Sequence, residues 1–149
     1  MIRWQCKAFS ELTNEELYKI LQLRNEVFVV EQNCAYQDFD GKDMEAYHLA
    51  AWHENNLVAY SRLLPKGISY PEAASIGRVV SSPSARGQNL GKQLMAHSIE
   101  HIYLLFGEVS IKISAQLYLR SFYESFSFIQ KGSVYPEDGI DHIAMERKI

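Results

Sequence analysis

Cysteine is scarce in this chain: Cys6 and Cys34 are its only two. Two thiols this far apart form neither a disulfide framework nor a CxxC metal site, and they read as reduced thiols of a cytoplasmic protein. Proline and glycine are sparse as well, at four and eight in 149 residues, which argues against a disordered linker. No stretch reaches the ~20 apolar residues of a membrane span. The opening Met1-Ile2-Arg3-Trp4-Gln5 lacks the apolar core of a signal peptide. Lysine and arginine never cluster, and the net charge is −3. Nucleic acid is therefore not the expected partner, because phosphate binding needs a concentrated basic surface.

What remains is an ordinary globular composition, 47% hydrophobic and 22% charged, long enough for one domain spanning residues 1–149. Ile2 to Ala8 reads as a strand. Thr13-Asn14-Glu15-Glu16 has the form of a capping box. The helix it opens buries Leu17, Ile20, Leu21, Val27 and Phe28 and is predicted to end near Val30. Gln32 to Glu45 is an irregular acidic loop. His48–His53 and Leu57–Leu64 form a hairpin around Glu54-Asn55-Asn56, and Ala73–Ser81 is a further strand, stopped by Pro83. Leu90 to Phe106 repeats apolar residues at helical spacing. A strand over Val109–Ser114, a short helix over Ala115–Phe126 and strands over Phe128–Tyr135 and His142–Lys148 complete the chain. Hairpins alternating with helical crossovers predict an α/β fold with a mixed sheet and helices on both faces.

The segment carrying most chemical information joins the Val79-Val80-Ser81 strand end to the long helix: Arg86-Gly87-Gln88-Asn89-Leu90-Gly91-Lys92. A helix N-terminus presents free N–H groups and partial positive charge to an anion. The segment is neither a Walker A loop nor a GxGxxG fingerprint. It resembles the R/Q-x-x-G-x-G/A signature of the GNAT (GCN5-related N-acetyltransferase) superfamily, with Asn89 at the middle glycine. Phe122-Tyr123-Glu124-Ser125-Phe126-Ser127-Phe128 is similar to that family's FYxxxGF element, with Ser127 at the glycine. Leu23 to Gln32, Cys34 to Gly41, Ser114-Ala115-Gln116 and Asp141 to Met145 resemble its ElaA-like branch.

The resemblance implies the acyl-CoA N-acyltransferase fold: a largely antiparallel mixed sheet of six or seven strands, splayed between the fourth and fifth. It also implies acetyl-CoA as cosubstrate, with the pantetheine arm along Val79, Val80 and Ser81 and the pyrophosphate over Arg86 to Lys92. Gln116 joins the cofactor set. Tyr123 becomes the general acid near the cofactor sulfur, and an amine is the acceptor.

Direct attack by a neutral amine needs no acyl-enzyme, and neither cysteine sits in an activating motif. Glu31, Asp38, Asp40 and His48 are the candidate bases. Arg24, Gln32, Tyr36, Asp40 and His142 are the candidate acceptor-binding residues, Arg24 also reading as an ion-pair partner. The acidic loop leans towards a cationic acceptor. No metal is expected. Aligning Gly41 with the calcium-loop glycine puts Tyr36 and Tyr47 at ligand positions. His97 and His101 lack the HExxH pattern and a third ligand. Two other readings stay open: a non-catalytic acyl-CoA sensor, motivated by Asn89 and Ser127, and an acyl-homoserine-lactone-synthase-like transferase, for which the chain is short. A homodimer through a sheet edge also stays open.

Overall fold

The computed structural model describes residues 1–149. A seven-stranded sheet carries the fold, ordered β1-β2-β3-β4-β5-β7-β6. Its strands are β1 (Ile2–Ala8), β2 (Tyr47–His53), β3 (Asn56–Leu64), β4 (Ala74–Ser81), β5 (Ile111–Gln116), β6 (Ile129–Glu137) and β7 (Ile140–Arg147). Every neighbouring pair is antiparallel except β4 and β5. A parallel pair cannot be joined by a tight turn, and helix α2 (Leu90–Phe106) makes the crossover. Helix α1 (Asn14–Arg24) follows β1, and the short α3 (Arg120–Glu124) follows β5.

Alternation along β3 feeds two cores. Ala59 and Leu63 pack with Leu94, Met95 and Ile102 of α2. Tyr60, on the opposite face, packs with Ile20 and Leu23 of α1 and with Val80 of β4. Helices therefore cover both faces of the sheet, as the alternation of hairpins and crossovers predicts.

The capping box at α1 forms: Thr13 Oγ1 accepts from the Glu16 N–H at 3.1 Å, and Glu16 Oε1 accepts from the Thr13 N–H at 2.9 Å. Helical winding continues past Arg24 as a π-helical turn, Asn25–Glu31, one residue beyond the predicted end. Wider winding of this kind is common beside functional sites. The C-terminal half departs from expectation at one junction. Ala115 and Gln116 belong to β5, because their ladder to Ile143 and His142 of β7 continues. The helix predicted from Ala115 is thereby shortened to a 3-10 turn, Leu117–Leu119, and α3. No helix is long and apolar enough to cross a membrane.

Candidate active site

Strands β4 and β5 touch only at their beginnings, where Ala74 pairs with Ile111 and Ser75 with Lys112. Beyond these pairs they part, while β3 holds the outer edge of β4 and β7 the outer edge of β5. The facing edges carry backbone N–H and C=O groups with no strand to pair with. Between them lies a cleft of about 530 Å³. Its walls include Val79, Val80 and Ser81 of β4, Ala115 and Gln116 of β5, and Tyr123 of α3. Phe28 and Glu31 of the π-helical turn, and Gln32 just after it, close it. The splay implied by the family resemblance is thus a feature of the fold.

The cleft runs on to the N-terminus of α2. A neighbouring recess shares Ser81 and Arg86 with it and is lined further by Gly87, Asn89, Leu90, Gly91 and Lys92. Asn89 occupies the N-cap in the left-handed conformation, φ 62° and ψ 21°, and its side chain makes no capping hydrogen bond. Asparagine is among the few side chains that tolerate this region, which explains how it stands where a glycine is usual. Ser127, at the other substituted glycine, is also left-handed, with φ 69°. The two long helices begin differently: α1 has a complete capping box, whereas the first turn of α2 has neither cap nor acidic residue. The leading N–H groups of α2 have no intrahelical partner and stay free for an anion.

Tyr123 is 8% exposed, and burial pushes its phenol up to about 12, with the nearby Tyr118 adding to the shift. His142 lines the cleft beside Glu137, Nε2 standing 3.4 Å from the carboxylate. Its Nδ1 lies 2.7 Å from the Ile140 carbonyl. A carbonyl only accepts, so Nδ1 donates to it and Nε2 is the nitrogen turned towards Glu137. Glu31 and Arg86 face each other across the cleft mouth in a bidentate pair at 2.7 and 2.8 Å. That pairing lowers the Glu31 pKa and makes it a weak base.

The acidic loop is arranged differently from the sequence reading. Three arginines from three elements pair with its three aspartates, Asp38, Asp40 and Asp43. Arg24 of α1, 0% exposed, binds Asp38 at 2.9 Å and Asp43 at 2.8 Å. Arg62 of β3 binds Asp40 at 2.8 Å and Asp43 at 3.0 Å. Arg78 of β4 pairs with Asp38 at 2.6 Å and reaches Asp40 at 3.4 Å. The network balances three positive against three negative charges. Asp38 is therefore no free base, Asp40 no lure for a cation, and Arg24 no binder of an acceptor carboxylate. His48 also leaves the list of bases. It is 0% exposed, its Nε2 donates to the Asp43 carbonyl at 2.9 Å, and its Nδ1 accepts from Tyr60 Oη at 2.6 Å. Burial lowers its pKa and keeps the ring neutral.

Gln88 lines a different recess, with Lys19, Gln22 and Asn55. Leu90 is buried in the core, so only its backbone can serve an anion. Glu31, Gln32, Tyr36, Arg86, Gln116, Tyr123 and His142 do share the main cleft. Sequence reasoning missed Arg78, Glu137 and Asp138, which line it too. Arg78 sits at a β-bulge with φ 50°, where three steps on β4, Gly77 to Val80, oppose two on β3, Arg62 to Tyr60. Its signal was Gly77, a glycine inside a strand pattern. For Glu137 and Asp138 it was the Asp138-Gly139 turn between two strands.

Residues 9–149, which include the splayed strands and the uncapped helix, match a family model described as "Acetyltransferase (GNAT) domain". This chain belongs to the GNAT acetyltransferase family. The GNAT chain is 45% identical to Protein ElaA of Escherichia coli over 151 residues, covering all of this chain and 98% of that one. It superposes with a TM-score of 0.94 on an acyl-CoA N-acyltransferase from Pseudomonas aeruginosa, 45% identical and 99% covered on both sides. The fold also matches a Bacillus subtilis acetyltransferase solved in complex with CoA, at a TM-score of 0.68 and 21% identity, covering 100% of this chain and 99% of that one. As a GNAT family member the chain is built for acyl transfer, and the acceptor is set by its own residues.

Proposed function

We propose that this protein is an acetyl-CoA-dependent N-acetyltransferase that moves the acetyl group directly onto a primary amine. The observation that carries the reading is the unpaired inner edge of β4 leading to the uncapped N-terminus of α2. An extended arm with amide groups can complete the β4 ladder, and its pyrophosphate then meets the free N–H groups of Gly91 and Lys92, with Arg86 alongside. Glu31 has to release Arg86 for this to happen.

In the transfer, the amine nitrogen attacks the thioester carbonyl, the C–N bond forms, the C–S bond breaks, and a proton passes from nitrogen to sulfur. We assign the amine's proton to His142 Nε2, with the Glu137 carboxylate stabilising the charge. Glu31 is the other carboxylate at the rim. Tyr123 faces the leaving sulfur. With its phenol at about 12 and a free thiol near 8.5, full proton transfer from Tyr123 to the departing thiolate is uphill by about 5 kcal/mol. Tyr123 therefore acts by donating a hydrogen bond that strengthens as thiolate character develops. The cleft carboxylates Glu137 and Asp138, rather than the neutralised loop, supply the preference for a cationic small molecule or peptide. Gln32 and Tyr36 are the further acceptor contacts. The reaction takes place in the cytoplasm, where Cys6 and Cys34 stay reduced.

The reading of the chain as a non-catalytic sensor rests on Asn89 and Ser127, and both adopt the left-handed backbone a glycine would supply. The test is a thiol-release assay with acetyl-CoA across a panel of amines and peptides, alongside thermal shift. Acetyl-CoA should raise the melting temperature, and a cationic amine should accelerate CoA release. Stabilisation without turnover on any amine would return the protein to the sensor class.

A further inference from the structure

We propose that helix α2 carries a surface binding site for a borderline first-row divalent ion, Zn2+ or Cu2+, formed by His97, Glu100 and His101. Residues three and four apart share one helix face. Here the three side chains converge until their ligand atoms all lie within 4.8 Å of one another. Tetrahedral ligands about 2.1 Å from a zinc ion stand roughly 3.4 Å apart. Small side-chain rotations close the remaining gap. The order of the ligands is His-x-x-Glu-His, so a search for HExxH passes over it. The carboxylate that the sequence reading lacked is the one between the histidines.

Two features orient the rings in advance. His101 Nδ1 donates to the His97 backbone carbonyl at 2.8 Å, which fixes the tautomer and leaves Nε2 as a ligand. This is the outer-sphere arrangement typical of metal-binding histidine. The His97 ring stacks on Trp4 of β1, with centroids 4.1 Å apart and planes 25° apart. Stacking engages the ring's face, while its nitrogen lone pairs lie in the ring plane and stay open. Two imidazoles and one carboxylate suit zinc, copper or nickel and are a poor set for magnesium or calcium. None of the three residues lines the acyl-transfer cleft, so the ion serves no step of that reaction. Bound there, it would tie the side chains of α2 into a cluster resting on Trp4.

The experiment uses the full chain without a histidine tag. Zn2+ is titrated calorimetrically into the wild type, Glu100→Gln and the double variant His97→Gln/His101→Gln. Glu100 is exposed, so its replacement disturbs no packing. The wild type should show a saturable site, with affinity falling roughly tenfold or more in each variant. Zn2+ should raise the melting temperature of the wild type only. Cu2+ should quench tryptophan emission in the wild type, and Trp4→Phe should remove most of that quenching while keeping Zn2+ affinity. A wild type with no saturable Zn2+ binding below about 1 mM, or variants that bind Zn2+ as tightly as the wild type, would overturn the site.

Discussion

Replacing Arg24 by Met isolates what the buried ion network does. The methionine keeps much of the arginine's apolar stem but removes a fully buried guanidinium that binds two carboxylates and the Asp38 carbonyl. Asp38 retains Arg78 and a hydrogen bond from Tyr36, and Asp43 retains Arg62. Three carboxylates then face two arginines, leaving one buried negative charge uncompensated. Removing one partner of a buried pair typically costs about 3–5 kcal/mol. The guanidinium also stands 5.9 Å from the Tyr60 ring, within range of a cation–π attraction that a neutral thioether does not supply. We expect a cost near the middle of that range. With a urea slope of about 2 kcal/mol/M, the unfolding midpoint should fall by roughly 2 M. Tryptophan fluorescence provides the readout. Adding Asp38→Asn to Arg24→Met should recover part of the stability, because it removes the unpaired charge. A cost below about 1 kcal/mol for Arg24→Met, accompanied by weaker acceptor binding, would refute the structural assignment and return Arg24 to the acceptor site.

Asn89→Gly should keep or tighten acetyl-CoA binding measured by calorimetry, since glycine accepts φ 62° without strain. Asn89→Val should cost about 1–2 kcal/mol and lower the melting temperature by roughly 2–8 °C, with cofactor affinity falling in parallel. Tyr123→Phe should reduce kcat about a hundredfold or more with the acetyl-CoA KM little changed. His142→Gln should reduce kcat/KM by a similar factor. Unchanged turnover in either variant removes that residue from the chemistry. Acid should unfold the protein through the network. Burial alone would raise the Asp40 and Asp43 pKa values, but the Arg62 and Arg24 hydrogen bonds prevail and lower both, Asp40 from 3.8 to about 2. A depressed folded-state pKa contributes stability above the unfolded value and loses it below. Stability measured in urea should therefore decline as pH falls from about 4 to about 2.

Local signals located the elements well. The predicted range of α2, Leu90 to Phe106, is the observed one because its apolar period is unbroken and Pro83 and Gly107 flank it. The cofactor-side residues were legible for a similar reason: strand end, loop and helix start are contiguous in the chain. The acidic loop was not. Asp38, Asp40 and Asp43 look solvated when read alone, and their partners Arg24, Arg62 and Arg78 come from a helix and two strands. Only the folded sheet brings these together, and no local rule pairs residues so far apart. His48 failed likewise, since Tyr60 lies across the hairpin, opposite Ala50, with its hydroxyl reaching His48. At Ala115 and Gln116, pairing with β7 overrode the helical pattern.

The bulge at Arg78 ties the two substrates together. The inner edge of β4 is the edge on which acetyl-CoA is proposed to lie, and Arg78 on that strand holds the loop carrying Tyr36 and Asp38. One strand is thus shared between the donor's seat and the acceptor's wall. A cosubstrate that straightened or spread β4 would act on the loop through the Arg78–Asp38 contacts. If both substrates bind as proposed, they do not bind independently: each changes the strand the other meets.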